Sequence, residues 1–131
     1  MSRTSNSRVS REAAQKVLQS YRDVLGVQCA VLFSADGFEL ASYAADDAAS
    51  ARLAAIGSSL AALGSAISSE AGLDACERTT IESKGGTVTI MRVGDDGDMS
   101  LAVVAGRNAV LGQLLWATKR CCQALLDNIH T

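Results

Sequence analysis

Residues 27–43 read VQCAVLFSADGFELASY, and the reading of this stretch decides the fold. Val27–Phe33 is an apolar run of strand length, and Ser34-Ala35-Asp36-Gly37 carries turn chemistry. Phe38–Tyr43 then alternates as a half-buried strand does. The expected unit is a β-hairpin with one buried strand and one partly solvated strand.

Upstream, Ser10 is a plausible N-cap, and Val17, Leu18, Tyr21, Val24 and Leu25 recur at helical spacing until Gly26, which suits a C′ position. Downstream, Asp46 and Asp47 offer an N-cap and negative charge to a long helix that runs to Ala71-Gly72. Its large aliphatics Leu53, Ile56, Leu60, Leu63 and Ile67 share one face, which is expected to be the core stripe. Three strands follow, Cys76–Ser83, Thr87–Val93 and Met99–Ala105, separated by Lys84-Gly85-Gly86 and by the acidic turn Gly94-Asp95-Asp96-Gly97-Asp98. Asn108 is expected to cap a last helix with an apolar stripe of Leu111, Leu114, Leu115, Thr118, Cys122 and Leu125, with Lys119 and Arg120 toward its negative end. The order αββαβββα defines an α/β (α+β) domain: a three-layer sandwich with a five-stranded antiparallel sheet between helices. The chain contains no Pro to interrupt an element.

With 131 residues, 48% hydrophobic and 20% charged, the expected organisation is a flexible N-terminal segment over 1–10, one domain over 11–128 and a C-terminal tail over 129–131. No apolar leader opens the chain, and Leu53–Ser69 is too diluted by Ser and Gly to read as a membrane span, so a cytoplasmic protein is expected. A net charge of −2 with interspersed signs argues against a nucleic-acid partner. Cys29, Cys76, Cys121 and Cys122 match no metal or disulfide spacing and read as buried free thiols.

Catalytic, metal and cofactor residues are all expected to be none. His130 is the one histidine and lies beside the C-terminus, away from any candidate nucleophile. Gly85-Gly86 lies between strands and forms no phosphate loop, and the Asp95–Asp98 turn lacks the spacing and distal Glu of a calcium loop. Trp116 is expected in the core of the last helix.

The most informative segment is Asp47–Glu70, in which only Asp47, Arg52 and Glu70 are charged. Beside the aliphatic stripe one flank carries Ser50, Ala54, Gly57, Ala61, Gly64 and Ser68, and the opposite side carries Ala51, Ala55, Ser58, Ala62, Ser65 and Ser69. Each helical Gly costs about 1 kcal/mol relative to Ala, a cost that close approach of a second backbone offsets. The first flank is therefore the expected dimer interface, joined by Cys76, Arg78 and Thr80 of the following strand, and the second set is the expected partner-binding platform. Ala and Ser drawn from a biased composition would give the same surface without an interface. Glu77, Arg78 and Glu82 equally suit a strand edge that pairs with its copy or one protected by charge.

Ala30-Val-Leu-Phe-Ser-Ala-Asp-Gly-Phe-Glu-Leu-Ala-Ser42 resembles the signature hairpin of the Roadblock domain, the dynein light-chain or MglB-like family. The resemblance runs on through Leu53-Ala-Ala-Ile56, Leu60, Ile81-Glu82, Val88–Val93, Leu101-Ala-Val-Val104 and Asn108-Ala-Val-Leu-Gly112, over roughly residues 12–127. It implies a Roadblock-like (profilin-like) fold and a homodimer with its long helices side by side and its third strands joining two sheets. It also implies a bacterial regulator or scaffold, not an enzyme, for a Ras-like small GTPase of the MglA type seated on the paired helices. Arg52 falls off the platform and is assigned no role as an arginine finger. The chain also ends soon after the last helix, so a scaffold or modulator is expected rather than an exchange factor. Two further functions fit the same chain: a small-ligand sensor, which requires a cavity between sheet and helix, and a tethering dimer indifferent to nucleotide.

Overall fold

The computed structural model describes residues 10–23 and 27–128. Helix α1 spans Arg11–Ser20, β1 Val27–Ser34, β2 Glu39–Tyr43, α2 Asp47–Glu70, β3 Arg78–Ser83, β4 Gly86–Val93, β5 Met99–Gly106 and α3 Leu111–Asn128. The strands form one antiparallel sheet in the order β2-β1-β5-β4-β3. Helices α1 and α3 cover one face around Leu32, Leu101, Leu114 and Leu125, while α2 covers the other around Val31, Phe33, Ile90 and Ala102. This is the expected αββαβββα sandwich.

The caps explain most of the boundaries. Ser10 accepts from the Ala13 N–H at 3.0 Å and Asp46 from the Ala49 N–H at 2.7 Å, each satisfying a first-turn donor. Helix α1 stops at Ser20, where the Tyr21 N–H turns back to the Leu18 carbonyl at 3.1 Å; the expected continuation over Val24, Leu25 and Gly26 lies outside the described residues. Asn108 does not cap α3. Its helix begins at Leu111, with the Val110 carbonyl accepting from Leu114, so Asn108 belongs to the preceding turn. Because α3 runs on to Asn128, Lys119 and Arg120 lie mid-helix instead of at the negative end.

The two sheet edges differ. Along β2 the Gln15 amide brackets the Ser42 backbone, donating to its carbonyl and accepting from its N–H, and Arg11 donates to the Leu40 carbonyl at 2.9 Å. Side chains of α1 thus occupy the positions a neighbouring strand would take. Among the described residues, the outward backbone groups of Thr79–Ser83 in β3 take no side-chain or loop partner. The sheet therefore has one closed edge and one open edge.

Candidate interaction surface

The orientation of α2 reverses the expected one. Ser50, Ala54 and Gly57 are buried against the sheet, and Ala61, Gly64 and Ser68 on the same side are half-buried. The six residues expected at a dimer interface thus face the chain's own strands. The cause is steric: a Cβ on Gly57 would stand 2.9 Å from Cζ of Phe33, and one on Gly64 would stand 3.0 Å from the Thr79 hydroxyl. A bulky sheet face and a helix of small residues are complementary halves of one layer.

The stripe expected in the core is consequently outside. Ile56, Leu63 and Ile67 are 65%, 59% and 69% exposed, and Leu53 and Leu60 are half-buried at its margin. These large aliphatics form a contiguous exposed apolar row. Ile81 of β3, also exposed, lies on the α2 side of the sheet because it alternates in step with Thr79. The apolar row therefore borders the open edge.

In the same strand Arg78 is exposed, and Thr80 is half-buried with its hydroxyl 3.5 Å from that of Thr89. Cys76, just before the strand, is half-buried with its thiol 3.3 Å from the Arg78 carbonyl. On the remaining flank of α2, Ala51, Ala55, Ala62, Ser65 and Ser69 are exposed. Ser58 is half-buried; its hydroxyl donates to the Ala55 carbonyl at 2.9 Å and lies close to Gly37.

The charges on α2 bracket the apolar row. From its N-terminal end the outer face reads Arg52, Ile56, Leu60, Leu63, Ile67, Glu70. The apolar order is the same read backwards, while the charges exchange. A second copy laid antiparallel would bring Ile56 against Ile67, Leu60 against Leu63 and Arg52 against Glu70. The length and apolar content of α2 would also allow a membrane crossing, yet one of its faces is packed on the sheet by Ser50, Ala54 and Gly57.

Trp116 is 64% exposed on α3 instead of buried, with the Arg120 guanidinium 4.9 Å over its ring. Cys121 and Cys122 are buried, Cys29 and Cys76 half-buried, and all four are free. Burial pushes the Cys121 and Cys122 thiols up to about 12. Among the described residues no group of three or more His, Cys, Asp or Glu is placed to hold a metal ion, and His130 lies outside them.

A sequence model of the Roadblock/LC7 domain matches residues 13–105. The chain belongs to the Roadblock/LC7 family. Its fold is similar to that of a Roadblock/LC7 domain from Streptomyces avermitilis, with a TM-score of 0.79 at 22% identity over 85% of this chain and 92% of that one. It is also similar to the gliding protein MglB of Thermus thermophilus, with a TM-score of 0.78 at 23% identity over 89% and 88% of the two chains. An MglB with a tetrameric arrangement gives 0.79 at 24% identity over 89% and 88%. Comparison with curated protein sequences finds no match.

Proposed function

We propose that this protein is a non-catalytic, cytoplasmic homodimer that binds a Ras-like small GTPase and modulates its nucleotide cycle or location. The observation that carries the reading is the exposed row Ile56, Leu63 and Ile67 beside the one open sheet edge. Antiparallel pairing of two α2 helices covers that row, and pairing of two β3 strands at the same time satisfies the free backbone groups and continues the sheet. The tetrameric arrangement of a related MglB supports self-association.

The dimer contact thus uses the aliphatic row of α2 with Arg78 and Thr80 of β3, not the small flank. In such a pair the Ala51, Ala55, Ala62, Ser65 and Ser69 flank of each copy stays outward, giving a nearly uncharged double platform for the GTPase. Membership of the Roadblock/LC7 family and the nearly uncharged outward flank of α2 support the GTPase assignment.

The test is capture on the immobilised protein from its host's lysate, with GDP or a non-hydrolysable GTP analogue present. The proposal predicts that a Ras-like GTPase is retained in one nucleotide state and lost with Ala55→Arg, a change at an exposed position. Recovery of the same non-GTPase proteins in both nucleotide states would leave a tethering dimer.

A further inference from the structure

The outer face of α3 lies on the side of the sheet away from α2, and Gly112, Trp116, Lys119, Arg120 and Gln123 are exposed along it. Trp116 stands among them 64% exposed, with the Arg120 guanidinium 4.9 Å from its ring centroid. One turn earlier on the same stripe, a Cβ at Gly112 would meet nothing within 4 Å, so the helix surface ahead of the indole is bare. Leu111 and Val110 beside that turn are 39% and 52% exposed. A large aromatic paired with arginine and flanked by open aliphatics has the composition of an interface centre.

Charge is shared unevenly between the two sides of the sheet. Residues 11–23 and 107–128 carry six cations and three acids, whereas residues 27–106 carry four cations and eleven acids. From Met99 to Leu126 there is no acidic residue, and none stands in the first turn of α3 to offset its positive pole. Among the described residues the ion pairs are Arg11–Glu39 and Arg22–Asp23, so Arg107, Lys119 and Arg120 carry unpaired charge. Asp127, the one acid on α3, is engaged by the Gln123 amide at 2.9 Å. The face is thus cationic on a chain whose net charge is −2. At about 1.5 Å per helical residue, Leu111 and Arg120 stand about 13 Å apart with Trp116 between them, the reach of about four extended residues.

We propose that the outer face of α3 docks an acidic peptide segment of a partner protein. One apolar side chain of the segment rests on Trp116 and the bare turn at Gly112, and carboxylates on either side of it meet Arg107 and Arg120. Three cations are fewer than the roughly four to eight that hold a protein to an anionic membrane. A second copy is disfavoured because two chains of like net charge repel. The sheet separates this face from α2, so the inference stands independently of the GTPase reading, and both partners can be held at once.

Trp116 is the sole tryptophan and reports the contact directly. The test is a fluorescence titration of the full chain at low ionic strength with the acetylated, amidated peptide Glu-Asp-Glu-Leu-Glu-Asp-Glu, and in parallel with its neutral analogue Gln-Asn-Gln-Leu-Gln-Asn-Gln. The proposal predicts a saturable blue shift and loss of acrylamide quenching with the acidic peptide, at a Kd of about 1 mM or tighter that weakens with added salt. The neutral peptide should bind about tenfold more weakly or not at all. Reversing two exposed charges together, Arg107→Glu with Arg120→Glu, should weaken the acidic peptide about tenfold, whereas Ala51→Glu across the sheet should leave it within about twofold. Gly112→Gln fills the bare turn without changing charge and should weaken binding about threefold or more, which keeps the test valid if the double reversal unfolds the chain. No saturable response to the acidic peptide, an equal response to both peptides, or undiminished binding by the folded variants would overturn the assignment. A response confined to phosphatidylglycerol vesicles, or a shift that grows with protein concentration in the absence of peptide, would overturn it in favour of a lipid surface or a second copy.

Discussion

Gly57→Ala separates the two possible orientations of α2 by the sign of a stability change. In a helix whose small flank faced outward, replacing Gly by Ala would stabilise by about 0.8–1 kcal/mol through helix propensity. In this structure the new methyl would stand 2.9 Å from Cζ and 3.1 Å from Cε2 of Phe33. That ring is only 1% exposed and is held among Val31, Ala54, Ile90 and Ala102, so it cannot swing aside freely. Overpacking of this kind costs about 1–3 kcal/mol, which outweighs the propensity gain and leaves a net loss of about 1 kcal/mol. For a domain of this size that lowers Tm by about 4 °C. The assay is urea unfolding of both proteins at one concentration, so that any coupled dimerisation is held fixed. Gly112→Ala near the start of α3, where a Cβ meets nothing within 4 Å, serves as control and should be neutral or stabilising. A Gly57→Ala protein with a higher urea midpoint than wild type would refute the packing of α2 on its small face.

Three further outcomes follow from the same structure. Arg52→Glu should weaken self-association, and adding Glu70→Arg should restore it, because the antiparallel pairing exchanges the two charges; sedimentation of the three proteins reads this, and an unchanged single variant would count against the pairing. The raised thiols of Cys121 and Cys122 set the sign of an alkaline effect: the unfolded thiols ionise from about 9 while the folded ones stay neutral to about 12, so stability is lost as pH rises through that window. Urea midpoints measured across it should fall, and less so in Cys122→Ala after allowance for the lost packing. Trp116, the sole tryptophan, should emit as a solvated indole and be readily quenched by acrylamide, and Trp116→Ala should change stability by no more than about 0.5 kcal/mol.

The sequence made the order of elements legible because each boundary rests on local chemistry. Ser10 and Asp46 cap through their own side chains, and the Asp36-Gly37 and Gly85-Gly86 turns join strands with clear apolar patterns. It was less informative where the outcome depends on distant partners. Periodicity finds two stripes on α2 but does not say which one meets the sheet, and the more hydrophobic stripe was the wrong choice. The deciding signal was the pair Gly57 and Gly64 on one face, read against the bulk of Phe33 in β1. Trp116 was misplaced for a simpler reason, since on the helical wheel it lies opposite Leu114, Thr118 and Leu125. The cavity of about 180 Å³ between α2 and the sheet left no local trace, because its walls come from β1, β3, β4, β5 and α2 and only the register brings them together.

The central claim is that the exposed row of α2 joins two copies of the chain, and sedimentation equilibrium of wild type and Leu63→Glu tests it most directly. Leu63 is exposed in the single chain, so the variant should keep its far-ultraviolet circular dichroism. The account predicts the mass of two chains for wild type and of one chain for Leu63→Glu. Wild type at the mass of one chain across the whole concentration range, or a variant that stays dimeric, would contradict it.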